Sequence, residues 1–476
     1  MAEFDIAVIG AGAAGLSVTA VAAQLGLRVA LIERGRMGGD CLNTGCVPSK
    51  ALLAAAHAAR SARGAGVFGL RVAEPEVDWA AVQAHVHGVI AAIAPMDSVA
   101  RFTGLGATVL QGTARFVAPD ALEVALPGGA RRLTAKRIVI AAGGRAAIPD
   151  LRGLEAVPYL THETIFEVTP RPEHLVILGG GPIGLEMAQA HAGLGCRVTL
   201  VQRRTIAPKD DPELVAGLRA ALLAEGVELH ENAQVVRVEP GPVLVLADGT
   251  RIAGSHLLIA TGRTPNVEAL DVAAGNVRAT KVGIATDRGL RSPSNRRVFA
   301  AGDIADPEGI GPRLFTHVGS YHAGIIVRRA LFRLPARIDY AALPRVTYTD
   351  PELAQVGMTE AEARAAGHAE LRILRWPLAE NDRALAERRT EGLVKIVATP
   401  KGKVLGAGIL APHAGEMLGT WTLAIGQGVK LSALAGMIVP YPTLAEAGKR
   451  AAGSFFVARL FSDSTRRLVR WLARLP

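Results

Sequence analysis

Phe4-Asp5-Ile6-Ala7-Val8-Ile9-Gly10-Ala11-Gly12-Ala13-Ala14-Gly15 decides the fold. An apolar run of strand length ends in Gly-x-Gly-x-x-Gly; a helical pattern and a second apolar run, Arg28 to Glu33, follow. One such match is a weak signal. The same order returns at His174-Leu175-Val176-Ile177-Leu178-Gly179-Gly180-Gly181-Pro182-Ile183-Gly184, with its second strand at Arg197 to Gln202. Two matches in β-turn-α-β context predict an α/β chain with two Rossmann-like dinucleotide-binding units. In each, the first glycine (Gly10, Gly179) permits a tight turn. The second (Gly12, Gly181) lets backbone approach a pyrophosphate, and the third (Gly15, Gly184) lets helix and strand pack closely. Ile6 to Leu27 is uncharged and long enough to suggest a membrane span, but strand, glycine turn and helix account for all of it.

The two units differ where they meet the ribose. Glu33 ends the second strand of the first unit, and a carboxylate there accepts from a 2′-OH and rejects a 2′-phosphate, so FAD or NAD is expected. Gln202 holds the matching place in the second unit and is followed by Arg203 and Arg204, with Lys209 nearby. Cations without an acid favour NADPH over NADH. Further strand-then-glycine segments end at Gly143, at Gly262 and at Ala301-Gly302-Asp303, the last returning after the second unit. The first unit therefore reads as discontinuous, residues 1–150 and 276–339, with the second inserted at 151–275. Residues 340–461 carry strand patterns (Val346–Thr349, Leu393–Val397) and helical ones (Glu360–Ala366, Met417–Gly426) but no dinucleotide fingerprint, which predicts a third domain of α+β type.

Just after the first unit come Cys41-Leu42-Asn43-Thr44-Gly45-Cys46, two of only three cysteines in 476 residues. Thiols this close can close a small disulfide ring, and beside a bound dinucleotide such a ring suggests an electron relay and favours the flavin as the first cofactor. So few cysteines exclude a disulfide scaffold and point to a reducing cytoplasm, where a disulfide is usually catalytic or redox-sensing. The third, Cys196, precedes a buried strand and reads as core. No secretory signal is expected from the opening Met1-Ala2-Glu3-Phe4-Asp5. The net charge of +10 is spread along the chain and aromatics are only 4%; this argues against nucleic acid and for a surface that attracts anionic cofactors.

The pattern Gly38-Gly39-Asp40-Cys41 through Cys46-Val47-Pro48-Ser49-Lys50, together with Ala301-Gly302-Asp303 and Thr349-Asp350-Pro351-Glu352 through Glu360, resembles the FAD-dependent pyridine nucleotide-disulfide oxidoreductases, from Phe4 to about Phe456. The resemblance implies a homodimer built on the third domain. It implies that Cys46 lies against the flavin and forms a charge-transfer complex when reduced, while Cys41 is the outer thiol that attacks substrate. Lys50 sits near the flavin N5 and pairs with Glu186. Gly39, Ala114, Gly143 and Asp303 join Gly10, Gly12, Gly15, Glu33 and Lys50 at FAD. Gly262 joins Gly179, Gly181, Gly184, Arg203 and Arg204 at NADPH.

Disulfide reductases of this family carry His-Pro-Thr-x-x-Glu, the imidazole being supplied by the other subunit. Here the run is Tyr441-Pro442-Thr443-Leu444-Ala445-Glu446. A phenol is a poor match for a base working near neutral pH. Val439-Pro440-Tyr441 is similar to mercuric reductases, although the vicinal cysteine pair typical of their C-termini is not in this sequence. Soluble transhydrogenases share Tyr-Pro-Thr but not the cysteine pair. The expected acceptor is thus a metal ion or small molecule, with no resident metal. A dihydrolipoyl dehydrogenase-like enzyme with altered acid–base chemistry is the alternative, and His317 or His322 is a candidate replacement base. The last residues, 462–476, place Arg466, Arg467, Arg470 and Arg474 among Leu468, Val469, Trp471, Leu472 and Leu475 at helical spacing. This predicts a basic amphipathic helix that packs on its own chain or a partner subunit, or rests on a membrane where the flavin could reduce a quinone.

Overall fold

The computed structural model describes residues 2–476. Phe4–Ile9 lies at the centre of a seven-stranded sheet, parallel to Val29–Glu33 on one side and to Gly129–Ile140 on the other. Ala107–Gln111 extends the parallel part. The long strand Gly129–Ile140 also carries the antiparallel strands Ala121–Leu126 and Thr113–Ala118. Val298–Ala300 adds in parallel beside Ile138–Ile140, so the chain returns to this sheet after a long excursion. The central strands are buried on both faces, as their unbroken apolar runs require.

The excursion contains a second parallel sheet, in the order Glu228–His230, Arg197–Val201, His174–Leu178, His256–Ile259. The antiparallel ribbon Val235–Glu239, Val243–Leu246, Arg251–Ala253 lies beside it in sequence. Each first strand runs into its glycine turn and then a helix, Ala13–Gln24 or Pro182–Gly193. A short pairing of Gly144–Ala146 with Arg263–Pro265 ties the second unit back to the first. From Pro344 the chain forms a five-stranded antiparallel sheet covered by Ala414–Gly426 and Ala445–Leu460, with Trp421 and Leu418 in its core. The strand at Val346 begins at Pro344 and ends at Thr347, and the helix read from Met417 begins at Ala414. The architecture is two Rossmann-like units and a C-terminal α+β domain.

The steric reasons for the glycines are visible. A Cβ on Gly10 would sit 2.4 Å from the Ala141 carbonyl oxygen, and one on Gly15 would sit 1.9 Å from that of Gly10. The same holds in the second unit for Gly179 against Ala260 and Gly184 against Gly179. The middle glycines differ: a Cβ on Gly181 would meet no protein atom within 4 Å, and one on Gly12 nothing nearer than 3.8 Å. Folding itself demands the outer glycines; the middle ones keep open a space beside a helix N-terminus, where a pyrophosphate binds. Among the described residues no helix is long and apolar enough to cross a membrane.

Candidate active site

The cysteine loop is held against the first glycine turn. Gly38 N–H donates to the Ala11 carbonyl at 2.9 Å, and Gly39 packs so closely on Gly12 that a Cβ there would come within 2.7 Å of its Cα. Cys46 is the first residue of the thiol helix, Cys46–Gly64, with Gly45 as its N-cap. Both thiols are free in this structure. Cys46 Sγ lies 3.4 Å from the Thr316 hydroxyl. The hydrogen bond from Cys41 lowers the Cys46 thiol to about 6 against the opposing effect of burial, and Thr316 and the Lys50 ammonium add to it. The helix N-terminus acts in the same direction. Cys41 moves the other way: its bond to Cys46, then burial, push its thiol up. The pair is therefore split into an inner thiolate and an outer thiol.

Lys50, one turn along the thiol helix, places Nζ 2.8 Å from Glu186 Oε2 in the second unit's first helix. Glu186 is nearly buried, its side chain 6% exposed, while that of Lys50 is 36% exposed. The other carboxylate oxygen, Oε1, accepts from the Tyr348 backbone N–H at 3.0 Å, and the Tyr348 ring lies 4.4 Å from the Lys50 ammonium. The expected Lys50–Glu186 pair thus forms, with Tyr348 and Thr316 as neighbours that local motifs do not announce.

At the ribose end, Glu33 accepts from Ala11 N–H at 2.6 Å and Gly35 N–H at 2.7 Å. Each oxygen retains a lone pair for a hydroxyl. Glu33 also lines a cavity with Gly10, Ile32, Thr113, Ala114 and Ala142. An acid facing a cavity between strand ends, with an uncrowded Gly12 beside it, fits the adenosine and pyrophosphate of FAD. Gly143 adopts a left-handed backbone, and its carbonyl and that of Ala142 accept from Asn266. In the second unit Gln202 is the counterpart of Glu33: its Oε1 accepts from Gly180 N–H at 3.1 Å. Arg203 and Arg204 are exposed beside it and, among the described residues, form no salt bridge. Gly262 carries the Ala147 N–H on its carbonyl.

One cluster went unread in the sequence. Arg263 pairs with Asp303 at 3.0 Å and with Asp40 next to Cys41, and its remaining donors reach His162 and the Gly144 carbonyl. Burial raises the Asp303 carboxyl although Arg263 opposes the shift. Arg263 is brought there by the Gly144–Ala146 pairing, so it links the flavin-contact turn to the thiol loop.

Of the two histidines offered as replacement bases, His322 has both ring nitrogens engaged and His317 one. His322 accepts the Gly302 N–H on Nδ1 at 3.1 Å and donates through Nε2 to the Tyr340 oxygen at 2.5 Å. His317 Nε2 holds the Pro344 carbonyl at 3.0 Å. His322 thus supports the Ala301-Gly302-Asp303 turn from behind and has no free nitrogen. Cys196 is buried and pushed up to about 11 by that burial, as a core residue would be.

Tyr441 is 68% exposed, and among the described residues it makes no hydrogen bond to the thiols of its own chain. Its hydroxyl donates to Asp382 Oδ2 at 2.8 Å, and this bond raises the phenol above its ordinary value. Glu446 lies in the first turn of the helix Ala445–Leu460, and its charge also raises the Tyr441 phenol. Asp382 is the carboxylate that holds the Tyr441 hydroxyl, and Asn381 beside it donates to the Thr443 carbonyl at 3.1 Å. No sequence signal joins Asp382 to a tyrosine so far along the chain.

Comparison with known proteins agrees with this arrangement. The profile of the pyridine nucleotide-disulphide oxidoreductases matches residues 4–357, and that of their dimerisation domain matches 343–452. A mercuric reductase of Streptomyces lividans is 39% identical over 464 residues, 95% of this chain and 96% of that protein. A dihydrolipoyl dehydrogenase of Geobacillus stearothermophilus is 32% identical, covering 94% and 96%. The Cu(II) complex of the HOCl-induced flavoprotein disulfide reductase RclA from Escherichia coli superposes with a TM-score of 0.85 at 25% identity, over 95% of this chain and all of that one.

Proposed function

The chain belongs to the pyridine nucleotide-disulphide oxidoreductase family, and from that premise we propose that it reduces a soft metal ion, Hg(II), at Cys41 and Cys46 with electrons from NADPH. It is an FAD- and NAD(P)H-dependent oxidoreductase with a redox-active disulfide, and its C-terminal domain is the family's dimerisation domain, so it works as a homodimer. Gly12, Glu33, Ala114 and Asp303 would hold FAD, with Lys50 at its reactive edge. Bound there, FAD would supply the two-electron link between NADPH and the Cys41–Cys46 disulfide. Glu186 holds the Lys50 ammonium in place beside the Tyr348 ring. Cys46, at the helix start, carries the thiolate; Cys41 carries the proton and meets the acceptor. Soft metal ions seek thiolates, so Hg(II) binding draws the proton from Cys41. Overall NADPH and Hg(II) give NADP⁺, H⁺ and elemental mercury.

The observation that carries the choice of acceptor is Tyr441. An exposed phenol tied to Asp382 is no neutral-pH base; at the partner subunit's thiols, where the family resemblance puts it, it would offer a metal an oxygen ligand. Thiol–disulfide exchange with an organic substrate needs such a base; Hg(II) binds sulfur strongly enough to displace the Cys41 proton to solvent without one. Exposed Arg203 and Arg204 beside a neutral Gln202 support NADPH over NADH. A reducing cytoplasm suits a pair that must pass through the dithiol.

The test is steady-state oxidation of NADPH by the FAD-loaded enzyme with Hg(II), and with Cu(II) in parallel, set against reduction of NAD by dihydrolipoamide. Hg(II)-dependent turnover that releases elemental mercury and far exceeds the dihydrolipoamide rate is expected. Dihydrolipoamide turnover without response to Hg(II) would overturn the proposal in favour of a dihydrolipoyl dehydrogenase-like enzyme.

A further inference from the structure

Asp463–Leu472 forms a helix that the described residues of its own chain leave uncovered. Ser462 caps it, its hydroxyl accepting from Thr465 N–H at 3.3 Å, and Thr465 in turn donates to the Arg459 carbonyl at 2.9 Å. Backbone bonds carry the last turn on through Leu475. No residue of the helix Asp463–Leu472 is buried. At 3.6 residues per turn, Arg466, Arg467, Arg470 and Arg474 fall within an arc of roughly 100°. Trp471, Leu475, Leu468, Leu472 and Val469 fill an arc of roughly 160° across from it. The apolar members are about half exposed, Trp471 at 57% and Leu472 at 47%. Leu460 and Phe461, just before the helix, are equally bare. Among the described residues Arg467, Arg470 and Arg474 have no carboxylate partner, and Arg466 has only Asp463 at 3.9 Å.

We propose that this helix docks the enzyme on an anionic lipid surface. The charge is one-sided: four arginines and a single aspartate, on a chain already at +10. A cationic stripe along one flank and a wide apolar arc on the other suit a helix lying in the headgroup plane, apolar face down. Trp471 falls between Arg467 and Leu475 on the helix surface, at the boundary of the two arcs, where an indole's apolar body and polar N–H match the lipid–water interface. A second copy of the helix fits less well. Under two heptads is too short for a paired coil, the apolar arc is broader than a two-stranded seam, and pairing would leave the arginines unanswered. The docking is independent of which acceptor the thiols serve.

The FAD-loaded full chain is sedimented with vesicles of phosphatidylcholine alone and of equal parts phosphatidylcholine and phosphatidylglycerol. Strong partition onto the anionic vesicles, weak partition onto the neutral ones and release by high salt are expected. Each arginine contributes about fivefold to partition, so R466Q/R467Q/R470Q/R474Q abolishes binding, and W471A weakens it. Both variants keep FAD and solution NADPH oxidation, which separates lost docking from misfolding. Equal partition of wild type and quadruple variant, or no partition of wild type onto either vesicle, overturns the proposal. A chain ending at Phe461 that is no longer dimeric also overturns it, since the helix would then belong to the subunit interface.

Discussion

Glu186→Gln isolates the charge that Glu186 supplies to Lys50. The amide is isosteric and its Oε1 still accepts from Tyr348 N–H, so its NH2 faces Lys50 and the 2.8 Å contact is lost as both charge and hydrogen bond while the packing stays. Breaking a buried ion pair costs about 3–5 kcal/mol, whereas exposed pairs are worth about 0.2–1 kcal/mol. With Glu186 at 6% and Lys50 at 36% side-chain exposure the site lies between these limits, and water partly compensates Lys50. About 1–2 kcal/mol is therefore expected. If the ammonium acts on charge that develops during hydride transfer, that loss falls on the transition state and slows the step about 5- to 30-fold. NADPH binding should hardly change, so kcat falls and KM does not. Rapid mixing of the FAD-loaded variant with NADPH, followed by bleaching of the flavin band, measures the step directly. Glu186→Ala should be worse, because it also strands the Tyr348 N–H, at about 1–3 kcal/mol in stability. A flavin reduction rate for Glu186→Gln within twofold of wild type would refute the assignment of Lys50 to the hydride step.

Three further outcomes are expected. R203Q/R204Q should raise the KM for NADPH by about tenfold or more per arginine lost while leaving NADH turnover untouched, since charge-assisted bonds to a 2′-phosphate disappear; equal effects on both nucleotides in steady-state assays would contradict this. Asp382→Asn and Tyr441→Phe should each depress Hg(II) turnover by about tenfold, and the double variant should be no worse than either, because the two act as a unit; flavin reduction by NADPH should be unaffected, and additive losses would separate them. The buried His191 and His322 are both lowered by burial to about 4, from the ordinary 6.5 of histidine. The unfolded chain therefore protonates first, and stability falls as pH drops from about 6.5 to about 4, by roughly 3 kcal/mol per group at most; thermal unfolding of His322→Gln should show a shallower slope in that window, and an unchanged slope would exclude His322 as a source.

What the sequence disclosed was local and steric. The glycine turns were legible because Gly10 and Gly179 leave no room for a Cβ, and Glu33 because its strand end is fixed by the same turn. Pro48 suits the first turn of a helix, and the thiol helix does begin at Cys46. The Lys50–Glu186 pair was reached through resemblance, since nothing within either segment points to the other. Arg263 lay within a segment already read as a strand and turn, yet its bonds to Asp40 and Asp303 depend on how Gly144–Ala146 pairs. Asp382 and Tyr441 meet only through the packing of the third domain. The role of His322 is set by packing in the same way. A histidine near a cofactor loop invites a chemical role, but both its nitrogens are spent on Gly302 and Tyr340.

The central claim is that electrons pass from NADPH through Cys41 and Cys46 to Hg(II). Anaerobic titration of the FAD-loaded homodimer with NADPH, followed by visible absorbance and then by addition of Hg(II), tests it most directly. A long-wavelength charge-transfer band should appear after two electrons, be absent in Cys46→Ser, and vanish on adding Hg(II) as elemental mercury is released. No band in the wild-type enzyme, or a band indifferent to Hg(II), would contradict the account: the first would remove the thiol relay, the second its acceptor.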